Sequence, residues 1–91
     1  MLFVTTYKIK PFLSKDEQKT LLQVFAAAGP GPGTTAHYVA ADGSHGVVVS
    51  ETDDIKGVYR NLQNYTAWVE YDSKVMLDVE EAVPLIMEAL A

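Results

Sequence analysis

Residues 35–51, TAHYVAADGSHGVVVSE, carry the strongest structural signal in the chain. Two segments of strand-like composition, Thr35–Ala41 and His45–Glu51, flank the dipeptide Asp42-Gly43. Asp-Gly supplies the positive φ angles that a tight hairpin turn needs. The stretch therefore predicts a β-hairpin made of the second and third strands.

Helical segments lie on both sides of this hairpin. Before it, Ser14 and Glu17 form a capping box and apolar residues follow at helical spacing, which predicts a helix over residues 15–28 that Gly29 ends. After it, Thr52-Asp53-Asp54 supplies an N-cap and negative charge for a second helix. The apolar stripe of that second helix comprises Ile55, Val58, Tyr59 and Leu62.

The two ends of the chain complete the pattern. Leu2–Ile9 reads as the first strand and Thr66–Met76 as the fourth. A final amphipathic helix follows, in which Pro84 marks either a kink or the first turn. Its apolar residues are Val83, Ile86, Met87 and Leu90. The order β-α-β-β-α-β plus a terminal helix predicts a ferredoxin-like α+β fold, with one four-stranded antiparallel sheet in a single domain over residues 1–91.

Both faces of the predicted sheet carry apolar side chains. Leu2 and Val4 alternate with Phe3, Tyr7 and Ile9 along the first strand, and the third and fourth strands show the same mixture. Two helices on one face leave the other face uncovered, and exposing several large apolar side chains costs a small domain much of its stability. We therefore predict a homodimer that packs sheet against sheet, with Phe3 and Trp68 in its interface.

Composition excludes several classes of function. The 91 residues include 7 basic and 12 acidic side chains, and the net charge of −5 disfavours nucleic acid as a partner. The absence of cysteine excludes disulfides and zinc–thiolate sites. No apolar run is long enough for a membrane span, so we expect a soluble cytoplasmic protein with no membrane partner. Asp42 and His45 are too few to hold a metal ion, and we predict no metal and no cofactor.

Charge is unevenly distributed along the chain. Residues 1–41 carry four lysines and two acids, whereas residues 42–91 carry three bases and ten acids. Solvated helix faces explain such a distribution. The alternative is a basic edge that meets an acidic one in a partner or a second copy.

Four segments together resemble a known family. They are MLFVTTY at 1–7 closing on Pro11, GPG at 31–33, ADGSHGVVVSETDD at 41–54 and VEEA at 79–82. The chain resembles the small bacterial and phage proteins of the family called domain of unknown function 3303. That family resembles the dimeric α/β-barrel superfamily, whose members include cofactor-free monooxygenases, haem-binding enzymes and small isomerases. The resemblance implies a fold and a dimer but no particular reaction.

Two groups of residues are candidates for chemistry. His37 on the second strand has the properties of a general base or a haem ligand, although a half-exposed strand histidine is the plainer interpretation. Trp68 and Glu70 share one face of the fourth strand, and with Tyr7 or Phe3 they would form an aromatic cavity around a carboxylate. The plainer interpretation places Trp68 in the dimer interface and Glu70 at its rim. Tyr38 stands where relatives often have tryptophan, which would alter the shape of a pocket there.

These observations lead to a ranked set of functional hypotheses. The favoured one is a non-catalytic homodimer that binds a small molecule or a protein. The alternative is a cofactor-free monooxygenase or isomerase, acting on a small aromatic or polyketide-like compound between the sheets. In that enzyme His37 and Glu70 would be catalytic and Tyr7, Tyr38 and Trp68 would bind the ligand. Haem binding through His37 is a weaker third hypothesis.

Overall fold

A computed structural model describes residues 1–91 as one antiparallel sheet with three helices. The strand order is β2-β3-β1-β4, which confirms the predicted ferredoxin-like arrangement and its C-terminal helix. None of the helices is both long and apolar enough to cross a membrane. The elements are β1 (Leu2–Ile9), α1 (Lys15–Ala28), β2 (Thr34–Val39), β3 (His45–Glu51), α2 (Ile55–Gln63), β4 (Val69–Met76) and α3 (Val79–Leu90).

Local signals in the sequence explain where the first two helices begin. Glu17 N–H donates to the Ser14 hydroxyl, and the Ser14 N–H donates back to the Glu17 carboxylate, as the capping box predicts. Asp54 accepts from the Gly57 N–H at 2.9 Å and so caps α2. Both helices thus start at residues that satisfy otherwise unpaired backbone donors.

The fourth strand is shorter at its start than the sequence predicts. It begins at Val69 rather than Thr66, because the segment before it continues α2 as turns. The Tyr65 carbonyl accepts from the N–H groups of both Trp68 and Val69 at 3.0 Å. A composition-based prediction does not register these local bonds, which take the backbone away from the ladder.

Strand register assigns each side chain to one of two sheet faces. Phe3, Thr5 and Tyr7 of β1 face the same side as Ser50 and Val48 of β3, and Phe25 of α1 and Tyr65, which follows α2, pack on this side. We call it the covered face. The opposite side, the open face, has no helix on it. Its members include Val4, Thr6, Lys8, Tyr38, Val47, Val49, Glu70, Asp72 and Lys74.

The core is small and lies on the covered face. Only five of the 91 residues are buried. Phe3 and Tyr65 are the apolar members, and Thr5 is a polar one whose hydroxyl lies 2.7 Å from the Ser73 hydroxyl. Such limited burial provides little of the apolar stabilisation that a stable domain needs.

Candidate functional site

The shortest polar contact on the covered face joins β1 to β2. Tyr7 Oη lies 2.6 Å from His37 Nε2, although strand β3 runs between them. The residue of β3 opposite Tyr7 is Gly46, and a Cβ atom built there would overlap the Tyr7 ring. Gly46 therefore gives the tyrosine the space to reach across a whole strand.

Aromatic rings from three other elements surround this pair. The Phe25 ring on α1 lies 6.0 Å from the His37 ring and 6.5 Å from the Tyr65 ring, measured between centroids. Tyr71 on β4 lies 6.2 Å from Tyr7, in an edge-to-face arrangement. We call Tyr7, Phe25, His37, Tyr65 and Tyr71 the aromatic cluster. It extends from β2 to β4 between the sheet and the helices.

Burial controls the electrostatics of the cluster. Desolvation raises the pKa of Tyr7 and of Tyr65, because a phenolate loses its hydration there. Desolvation also raises the pKa of Tyr71, and the nearby Tyr65 and Tyr7 add to the effect. All three phenols are therefore neutral at physiological pH, and the Tyr7 hydroxyl makes a hydrogen bond rather than carrying a charge.

His37 is the accessible polar member of the cluster. Its side chain is exposed, and its Nε2 is the nitrogen that contacts Tyr7. The other nitrogen, Nδ1, has no hydrogen-bond partner within the chain. The pair can therefore bind a polar group of an incoming molecule through His37, while the rings contact its apolar body.

Trp68 and Glu70 lie in a different place. They line an open cleft of about 380 Å³ at one end of the sheet, together with Lys8, Lys10 and Pro11. Glu70 is opposite Lys8 in the register, on the open face. The Lys10 N–H donates to the Trp68 carbonyl at 2.7 Å and fixes the cleft to the end of β1.

The sheet separates residues that the sequence analysis combined in one pocket. Tyr7 and His37 lie together on the covered face, whereas Tyr38 and Glu70 face the open side. Within one protomer these groups do not line a common cavity. Phe3 is 7% exposed on the covered face, so its own helices shelter it and it is not part of the surface proposed below.

A third polar group organises the hairpin turn. The Ser44 hydroxyl donates to the Asp42 carboxylate at 2.7 Å and lies 2.6 Å from His45 Nδ1. These bonds from Ser44 lower the pKa of Asp42. The turn is exposed, and its hydrogen bonds join residues of the turn to one another, so they serve the hairpin. Nowhere in the chain do three His, Asp or Glu side chains come together as metal ligands would.

Two signals in the sequence pointed to parts of this site without identifying it. An isolated glycine inside a strand, as at Gly46, often marks the close approach of another group. Phe25 is one of the apolar residues at helical spacing that predict α1, and nothing else in the sequence distinguishes it. The contact of each with the Tyr7–His37 pair depends on the register of three strands, which spacing alone does not provide.

The fold and the aromatic cluster define a ferredoxin-like α+β protein with a candidate binding site between its sheet and its helices. The family described as Domain of unknown function (DUF3303) matches residues 1–90, and the chain belongs to this family. No curated protein matches the chain.

Proposed function

We propose that this protein is a homodimeric binding module, which holds a small molecule with an aromatic or otherwise apolar body at the aromatic cluster. The observation that carries the proposal is the Tyr7–His37 hydrogen bond beside an exposed imidazole nitrogen. Ligand sites commonly combine an apolar lining with a few convergent polar groups. Phe25, Tyr65 and Tyr71 supply the lining, and His37 supplies the polar contact.

The open face supports the homodimer. Val4, Val47 and Val49 lie together on it, and Tyr38 beside them is 65% exposed. A second copy would cover this patch through an isologous interface, since the same surface occurs on both subunits. Light scattering should then give twice the mass of one chain. Val49→Lys places a charge in the patch and should give a monomer, whereas Gln63→Lys, at an exposed position on α2, should not.

Ligand binding is tested with a simple probe. We expect 2-naphthol, an aromatic body with one hydroxyl, to shift the imidazole NMR signals of His37 in a saturable way. Tyr7→Phe keeps the ring but removes the hydroxyl that holds His37 in place. The affinity for 2-naphthol should therefore fall about 2- to 10-fold, which corresponds to the free energy of one hydrogen bond. Glu70→Gln in the separate cleft is the matched control and should leave the affinity unchanged. Equal affinity in Tyr7→Phe, or loss of binding in Glu70→Gln, would contradict the proposed site.

A second candidate function is proton-transfer catalysis by the same pair. The observation that favours it is the 2.6 Å Tyr7–His37 contact, because a hydrogen-bonded phenol orients an imidazole that accepts a proton from a bound enol or phenol. This is the cofactor-free oxygenase or isomerase hypothesis, confined to Tyr7 and His37. Oxygen uptake with a naphthohydroquinone substrate, abolished in His37→Ala and retained in Glu70→Gln, would establish it. Binding without turnover would leave the non-catalytic module.

A further inference from the structure

Helix α3 has an apolar surface that nothing in its own protomer covers. None of its residues is buried. One stripe repeats at helical spacing along it, formed by Val79, Val83, Ile86 and Leu90. All four of these side chains are exposed. An amphipathic helix normally directs such a stripe into a core, and this one faces solvent in the isolated chain.

This helix is poorly suited to exist without a packing partner. Pro84 lies in its interior, where it removes the hydrogen bond to the Glu80 carbonyl. Asp78 at the N-cap makes no side-chain capping bond. Helices of about 12 residues are marginal in water even with favourable sequences. Packing of the apolar stripe must therefore supply the stability of α3.

The solvent-accessible surface area of the chain shows how much surface a second molecule would have to bury. A compact monomer of 10.0 kDa exposes about 5,200 Å². This chain exposes 6736 Å², and its radius of gyration is 15.9 Å where a compact chain of this length has about 12 Å. The excess of about 1,500 Å² is the area that one subunit buries in an obligate homodimer. A second copy of the same chain is thus an occupant of the right size.

One edge of the molecule matches α3 in polarity and charge. Leu22 on α1 and Val39 on the edge strand β2 are exposed by 67% and 59%. Lys15 and Lys19 lie next to Leu22 on the surface of α1. We call these four residues the α1–β2 edge. Helix α3 has acidic side chains and no basic one. Glu80 lies one turn from Val83 beside the stripe, whereas Glu81 and Glu88 lie on the opposite side of the helix, so Glu80 is the acid that can meet these lysines.

Sheet topology brings α3 to this edge in a dimer. Strands β2 and β4 are the two opposite edges of the sheet. Consider two copies that stack their open faces about a two-fold axis parallel to the strands. This axis exchanges the two edges of the sheet, so β4 of one copy lies over β2 of the other. Only Leu77 and Asp78 separate β4 from α3. We propose that α3 is an exchanged arm, which packs its apolar stripe on the α1–β2 edge of a second copy.

Engineered cysteines test the exchange directly, because the chain has no cysteine of its own. The proposal rests on the proposed homodimer, and a variant with Leu22→Cys and Ile86→Cys separates the two. We expect this variant to form a disulfide-linked dimer under mild oxidation, while each single variant and the pair Tyr59→Cys with Ile86→Cys do not.

A disulfide within one chain would show that α3 folds back on its own protomer and would overturn the exchange. A dimer in light scattering with no cross-link would overturn the exchange but leave the homodimer standing. A monomer would remove both.

Two charged substitutions on α3 provide a second readout in the cysteine-free chain. Ile86 and Leu85 are almost equally exposed, at 57% and 56%, but only Ile86 belongs to the apolar stripe. Ile86→Asp should weaken dimerisation by about tenfold or more, whereas Leu85→Asp should change it less than about twofold. Equal effects of the two substitutions would contradict the proposed orientation of the helix.

Discussion

Replacing Gly46 with alanine tests the packing on which the candidate site depends. The new Cβ would overlap the Tyr7 ring, so the ring must move away from His37. Overpacking of this kind costs about 1–3 kcal/mol, and the lost hydrogen bond adds about 0.5–1.5 kcal/mol. Alanine recovers about 0.5–1 kcal/mol because glycine loses more conformational freedom in a strand. Gly46→Ala should therefore lower the free energy of unfolding by about 0.5–4 kcal/mol.

Gly46→Ala should change the free energy of unfolding in the opposite direction when the Tyr7 ring is absent. In a Tyr7→Val background nothing of Tyr7 remains to overlap the new methyl group, so only the entropic gain is left. Gly46→Ala should then raise the free energy of unfolding slightly. The measurement is urea unfolding followed by the fluorescence of the single tryptophan, Trp68, at one fixed protein concentration because a dimer's stability depends on it. Equal destabilisation in both backgrounds would refute the reasoning.

Three further predictions follow from backbone geometry and from pKa shifts. Gly33 and Gly43 both have positive φ, but only a Cβ at Gly33 would collide with the backbone carbonyl of Glu51, so Gly33→Ala should lower the unfolding midpoint in urea much more than Gly43→Ala. Stability should fall as pH rises above about 10, because the unfolded chain ionises phenols whose pKa is raised in the folded state, and a phenolate absorbance that appears only with unfolding would confirm it. The phenols concerned are Tyr7, Tyr65 and Tyr71. Hydrogen bonding to Asp53 raises the pKa of the Met1 α-amino group, so Asp53→Asn should lower that pKa. The pH dependence of amine acylation measures the change, and an unchanged pH dependence would contradict the contact.

Local sequence signals predicted the elements of this fold because each depends on few residues. The Asp-Gly turn produced the hairpin, and the Ser14 capping box set the start of α1. The alternation in β1 also assigned its side chains to two faces correctly, with Phe3 and Tyr7 on one and Val4 on the other. Such patterns are local, and a single sequence contains them in full.

The assignment of His37 to a face could not be predicted because it depends on a β-bulge. Thr34 pairs with Ser50 and Ala36 with Val49, so Thr35 is an extra residue in β2. Without it His37 would pair with Val47 and lie on the open face. One inserted residue reverses the orientation of every side chain that follows, and composition gives no sign of it.

Failure to predict the exposed surfaces has a different cause. Ile55 and Tyr59 were assigned to the apolar stripe of α2, yet they are 53% and 67% exposed. The stripe of α3 is exposed as well, although its spacing is that of a core-facing helix. Periodicity shows that a helix face requires cover, but it does not show which molecule supplies that cover.

Two local irregularities converge on the same pair of residues. The bulge at Thr35 brings His37 to the covered face, and Gly46 clears the space through which Tyr7 reaches it. Neither irregularity enlarges the apolar core: a bulge leaves one residue unpaired, and a strand glycine contributes no side chain to packing. A sheet built only for stability would have a regular β2 and a β-branched residue at position 46. Both departures permit the Tyr7–His37 contact, and this supports the proposal of a binding site at this pair rather than at the Trp68–Glu70 cleft.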